Sequence, residues 1–107
     1  MDAHELTDLL AEIAASGRSY HEFLRVRAMS AGIYRLPAGG TDPQRPHAED
    51  ELYWVVAGRA ILRVADEDRR VESGSAVFVG ANVPHRFHSI VEDLVVLVVF
   101  APAESNG

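Results

Sequence analysis

The 107-residue chain has no cysteine and no lysine, and these absences remove several kinds of chemistry at once. Without cysteine there is no thiolate nucleophile, no disulfide and no cysteine-ligated zinc or iron–sulfur centre. Without lysine there is no Schiff-base chemistry. All 10 basic residues are arginine against 16 acidic ones, and the net charge of −6 argues against nucleic-acid or anionic-membrane partners, both of which need a basic face. Long apolar runs are missing too. Nothing approaches the ~20 residues of a membrane span. The first thirty positions carry Asp2, Glu5, Asp8, Glu12 and Glu22 and hold no run of signal-peptide length. A cytoplasmic protein is expected, folded as a single domain around one core.

The chain does contain a change of period. Leu6, Leu9, Leu10, Ile13 and Ala14 recur at helical spacing, with Asp8 and Glu12 on the polar side and Gly17 as a stop, so a short amphipathic helix is expected over about 4–16. Ser19 to Glu22 has capping-box spacing and predicts a second helical turn, unless Tyr20 and Phe23 instead cover one end of a barrel. His4 and His21 then read as surface residues. From Leu24 the period shortens. The runs Leu24–Met29, Ala31–Leu36, Leu52–Val56, Ala60–Ala65, Arg70–Glu72, Ala76–Val79, His85–Ile90 and Leu94–Phe100 read as strands separated by turns. This predicts an all-β sandwich or barrel over about 24–101. The first two residues and Ala103 to Gly107 read as loose ends.

Alternation along the strands assigns faces. His47 and Glu51 are an even number apart and point the same way. His85 comes from a separate strand and shares its face with Phe87 and Ser89, while His88 falls on the opposite one. If Glu51 points inward, so do Tyr53 and Val55, leaving Leu52, Trp54 and Val56 outside. An apolar outer patch of that size needs a cover, either the helix or a second subunit. Leu94–Phe100 is apolar on both faces, which predicts a strand buried on both sides. A homodimer is therefore expected. Two histidines and a carboxylate are donors that iron, manganese, nickel and zinc accept, and with open positions left over they match the facial arrangement of non-haem iron sites. The plainer reading leaves the histidines at the surface or in ordinary hydrogen bonds.

The surrounding frame carries a resemblance. Gly39-x5-Arg45-x-His47-x3-Glu51-x6-Gly58 resembles the first motif of the cupin superfamily, Gly-x5-His-x-His-x3-Glu-x6-Gly. Gly74-x5-Gly80-x-Asn82-x2-His85-x3-Ser89 resembles the second, Gly-x5-Pro-x-Gly-x2-His-x3-Asn. Asn82 in place of a turn glycine is a mild departure, because asparagine tolerates left-handed backbone. Arg45 in place of a histidine is not, since a permanently charged guanidinium cannot ligate a cation. The resemblance implies a cupin-like double-stranded β-helix (jelly-roll) barrel with a short N-terminal helix. It also implies at most three of the family's usual four ligands, here His47, Glu51 and His85. Among cupins the chain is similar to short single-domain proteins with a segment like Pro46-His-Ala-Glu-Asp-Glu51.

The expected function is metal-dependent chemistry on a small organic substrate at one divalent ion (Fe, Mn, Ni or Zn). The reaction is oxygenation if the ion is redox-active and isomerisation or hydrolysis if it is not, as in a dioxygenase or isomerase-type cupin. Glu49, of the same parity as Glu51, is available as a substitute or added ligand if the loop after His47 changes register, and Gln44 is a weaker substitute. Arg45 is a candidate anchor for a carboxylate or enediol, or else a solvated loop residue. Tyr34, Tyr53, Phe78 and Phe87 are candidate pocket walls, or else core. The alternative is a non-catalytic binding or sensor module that holds a small metabolite without metal. In that case the polar groups form a hydrogen-bond network, with Arg45 paired to Glu49 or Glu51.

Overall fold

Helical spacing places Leu9 and Ile13 on one side of α1 (Leu6–Ser16), and both are buried. They pack on Ile33 and Val95, with Phe23, Val56 and Leu97 around them, so the helix lies on the outside of a sheet. Each such burial contributes about 1.5–3 kcal/mol. Gly17 ends the helix in left-handed backbone, φ 69°, as the stop signal predicts.

The computed structural model describes residues 1–105. After α1 come β1 (Tyr20–Val26), β2 (Met29–Leu36), β3 (Asp50–Val64), β4 (Glu67–Glu72), β5 (Ala76–Val79) and β6 (His85–Ala101). All pairings are antiparallel, in the order β1-β2-β6-β3-β4, with β5 on β3. This is the jelly-roll topology expected from the motifs.

Three local expectations are corrected. Ser19–Glu22 is not a helical turn: Tyr20 opens β1 and pairs with Tyr34, so the burial of an aromatic side chain outweighs the capping-box pattern. The run Leu24–Met29 is interrupted by a tight turn at 27–28 that joins β1 to β2. The four central runs are two long strands. β3 pairs with β6 along most of its length through register shifts at Val55/Ala57, Ala57/Arg59 and Arg59/Ile61, so the apparent turn at Ala57-Gly58 is a bulge that bends the ladder without ending it.

The alternation holds. Glu51, Tyr53 and Val55 are buried while Leu52 and Trp54 are exposed. Leu94, Val96, Val98 and Phe100 enter the barrel core, and Val95 and Leu97 turn to the helix, so the strand is covered on both faces as its composition predicts.

Gly58 has φ 94°, and a Cβ there would stand 2.2 Å from the Asp93 carbonyl oxygen. Gly58→Ala is expected to lower unfolding free energy by about 3 kcal/mol, since a left-handed φ costs a substituted residue about 1–3 kcal/mol before the main-chain clash is counted. A shift in the urea midpoint with an unchanged m-value checks this.

Candidate metal centre

The loop between β2 and β3 is organised by one buried carboxylate. Asp42 accepts from the Tyr34 hydroxyl and the Gln44 N–H (3.1 Å) on Oδ1, and from Gln44 Nε2 (2.7 Å) and the Phe87 N–H (2.9 Å) on Oδ2. It thereby ties the loop to β2 and β6. A second tie runs from the Asn82 N–H to the His47 carbonyl, 2.6 Å. Asn82 sits at φ 65°, the left-handed backbone that the departure from the motif's glycine permits. The turn leading into His85 is thus bonded directly to the segment that carries His47.

His47, Glu51 and His85 each bring a donor atom within 4.8 Å of the other two. Glu51 lies on β3 and His85 opens β6, and both are buried. The His85 ring has one nitrogen committed: Nδ1 donates to the Val83 carbonyl at 2.9 Å, and a carbonyl only accepts. In the neutral ring Nε2 therefore carries a lone pair, yet it faces Glu51 Oε1 at 2.9 Å. An acceptor thus faces an acceptor. In keeping with this, His85 Nε2 and both Glu51 oxygens are buried with no hydrogen-bond partner among the described residues. His47 differs, with Nδ1 3.2 Å from Glu104 Oε2 and Nε2 hydrogen-bonded to Gln44 Oε1 at 3.3 Å. Such a set needs a positive charge at its centre. A proton is one form of it. Burial lowers the His85 pKa, but the close approach of the Glu51 carboxylate, the Val83 carbonyl and the field of Asp42 outweigh burial and raise it above the usual imidazole value. A divalent cation is the other form, and the donor chemistry fits one.

A cavity of about 140 Å³ adjoins these atoms, lined by Tyr20, Tyr34, Gln44, His47, Glu51 and Glu104, with Val98 and Phe100 behind them. Tyr34 is among the residues that line it. Tyr53 and Phe87 belong to the core: they are buried edge to face at 5.0 Å, with the Tyr53 hydroxyl donating to Gln44 Oε1 at 3.0 Å. Burial first, and then the Glu51 charge, raise the Tyr53 pKa well above its ordinary value, so the hydroxyl stays a donor. Phe78 is corrected. It pairs with outward-facing Leu52 and is 63% exposed, because β5 contributes its other face to the barrel. Arg45 is also corrected: it is exposed and outside the cavity lining, because Gln44 takes the inward position of the loop. Neither of its proposed partners waits for it. Glu49 accepts from the Ser105 hydroxyl and Glu51 faces His85. His88 pairs with Asp68, and His21 with Glu12, away from the site.

Three site residues escaped the sequence reading. Tyr20 was open to a helical assignment, yet its ring enters the cavity across Gly32, where a Cβ would come 2.3 Å from it. Its buried hydroxyl has no partner among the described residues, and burial followed by nearby carboxylates raises its pKa, keeping it protonated. Asp42 carried no motif signal. Glu104 lies in the segment read as loose, but its N–H donates to Ser30 Oγ (2.9 Å) and Arg25 donates to its carbonyl (2.6 Å), which brings its carboxylate to His47. Positions 106 and 107 of that segment lie outside the described residues.

The family model described as "Cupin domain" matches residues 32–100. The chain is 55% identical over 105 residues to the uncharacterized protein SCO3923 of Streptomyces coelicolor, covering 98% of this chain and 100% of that one. Among solved structures, TT1209 from Thermus thermophilus has a TM-score of 0.74 at 24% identity, over 96% of this chain and 99% of that one. KdgF from Halomonas sp. has a TM-score of 0.71 at 20% identity, over 78% and 76%. The DMSP lyase DddQ from Ruegeria pomeroyi DSS-3 has a TM-score of 0.70 at 22% identity, over 82% of this chain and 49% of that one. At these identities the structural likeness is one of fold. With the family model spanning more than half the chain, and His47 and Glu51 of the first motif meeting His85 of the second in one cluster, the chain belongs to the cupin family.

Proposed function

We propose that the barrel holds one divalent transition metal on His47 Nε2, Glu51 and His85 Nε2, and that the ion assists chemistry on a small organic substrate. The observation that carries this reading is the buried set of polar atoms without donors: His85 Nε2 and both Glu51 oxygens. Nitrogen and carboxylate donors suit iron, manganese, nickel or zinc. When bound, such an ion polarises a substrate oxygen or, if redox-active, supports oxygenation.

The rest of the chemistry belongs to the chain. The Tyr20 hydroxyl is protonated and free, and it offers a hydrogen bond to a substrate oxygen in the cavity. Glu51 and Glu104 line the same cavity, whereas Arg45 is turned away, so an uncharged substrate fits better than the carboxylate suggested by the sequence. A lyase, DddQ, is built on the same fold, which supports a catalytic role. The metal-free binding module has one observation in its favour, the raised His85 pKa, because a proton shared with Glu51 also neutralises the site.

The outer face supports a second copy of the chain. Leu52 (46% exposed) and Phe78 (63%) are cross-strand partners, and Trp54 (49%) lies beside them, while the helix covers Val56 instead. A homodimer that buries this strip removes a contiguous apolar patch from water.

Protein purified without chelator is expected to carry up to one equivalent of metal by elemental analysis. His85→Ala should remove most of it, Glu51→Gln should weaken binding with the fold intact, and His88→Ala should change nothing. Equal loss in His88→Ala and His85→Ala, or no binding of iron, manganese, nickel or zinc by the wild type, favours the metal-free module. Light scattering at tens of micromolar is expected to give a dimer that Trp54→Arg dissociates. A wild-type monomer contradicts the interface.

A further inference from the structure

The cupin motif supplies four ligands, and this chain supplies three of them, because the residue at the remaining motif position, Arg45, is exposed on the outside of the loop. The residue before it points the other way. Gln44 lines the cavity, and its Oε1 lies 3.3 Å from His47 Nε2.

The orientation of the Gln44 amide is forced. Asp42 Oδ2, 2.7 Å from Nε2, only accepts, so the NH2 group must face it and the oxygen must face inward. Tyr53 fixes the same direction from the other side, since its hydroxyl donates to Oε1 at 3.0 Å. A carboxamide oxygen has two lone pairs, and Tyr53 uses one. The second is directed toward His47 Nε2, 3.3 Å away. With no cation present this is an N–H···O hydrogen bond; once Nε2 loses its proton to bind a cation, the imidazole and amide lone pairs are aimed at the same place, with Glu104 3.2 Å from Nδ1 to receive the ring's remaining N–H. Two donors bound about 2.1 Å from one ion at right angles are about 3.0 Å apart, and both close pairs here are near that spacing: His85 Nε2 with Glu51 Oε1 at 2.9 Å, and His47 Nε2 with Gln44 Oε1 at 3.3 Å.

We propose that Gln44 Oε1 is a fourth metal ligand, taking the coordination position that the motif assigns to the histidine matching Arg45. This rests on the metal site proposed above. The resulting set is two imidazoles, one carboxylate and one neutral carboxamide oxygen. The amide is a weaker donor than imidazole, and its strength depends on Asp42 and Tyr53 holding it in place, in the way that outer hydrogen bonds orient ligands elsewhere. The loop has in effect moved a ligand by one residue, turning position 45 out and position 44 in.

Gln44 is the chain's single glutamine, so labelling with glutamine that carries 13C at its side-chain carbonyl gives one carboxamide resonance from the intact wild type. On titration with Zn2+ this carbon is expected to move downfield in step with the histidine resonances, reaching its limit at one equivalent. Gln44→Leu is expected to bind Zn2+ and Mn2+ at least tenfold more weakly in competition with a chelator, since loss of even an outer partner of a ligand costs about 10–100-fold. Arg45→His is expected to leave affinity unchanged. If Zn2+ shifts the histidines and leaves the Gln44 carbon in place, the metal site stands and the fourth ligand is refuted. Unchanged Zn2+ and Mn2+ affinity in Gln44→Leu also refutes it, because a ligand cannot be removed without cost. If Zn2+ shifts neither, both the metal site and its fourth ligand fall.

Discussion

The interaction on which the site depends is the close approach of a buried carboxylate to an imidazole lone pair. Glu51 and His85 side chains are 1% and 2% exposed, and the His85 Nδ1–H is committed to the Val83 carbonyl. A carboxylate held away from water with no donor costs several kcal/mol, so the barrel closes around Glu51 only with a positive charge beside it. A proton or a divalent cation would each supply that charge. Around the pair, the Val83 carbonyl sets the His85 tautomer and Asp42 fixes the Gln44 amide that faces His47.

The scaffold explains how these groups meet. β3 and β6 pair over most of their lengths, and their bulges bend the ladder so that the start of β3, carrying Glu51, and the start of β6, carrying His85, approach one another. The two strands carry Glu51 and His85, and the loop before β3 carries His47 and Gln44. That loop lacks regular structure, so its precision comes from hydrogen bonds to Asp42 and from the Asn82 N–H on the His47 carbonyl. Catalytic groups placed on loops need this kind of pinning.

Much of this was legible in the sequence because strand alternation is a strict rule. The parity of Glu51, Tyr53 and Val55 against Leu52 and Trp54 followed from spacing alone, as did the double-sided burial of Leu94–Phe100 and the isolation of His88 from the site. Parity did not reach Phe78, since β5 is four residues long and its register depends on its pairing with β3. Nor did it reach the loop, where position 44 and not 45 turns inward. Tyr20 was hidden by a local capping pattern that a long-range contact overrode, and its place in the cavity depends on Gly32 in the neighbouring strand. Glu104 was hidden more deeply. A segment of Ala, Pro, Glu and Ser reads as coil, and its hydrogen bonds to Ser30 and Arg25 have no counterpart in any local pattern.

In the proposed metal site the Nε2 atoms of His47 and His85 converge with Glu51 on one cation while both rings keep a proton on Nδ1. Imidazole 15N spectra of the wild type, recorded without metal and then with one equivalent of Zn2+, test it directly. Of the 5 histidines, the account predicts that His47 and His85 alone change, each at Nε2, with Nδ1 still protonated, while His4, His21 and His88 keep their resonances. Binding through Nδ1, or a Zn2+ titration that moves His88 or His21 and leaves His85 unaffected, would contradict it.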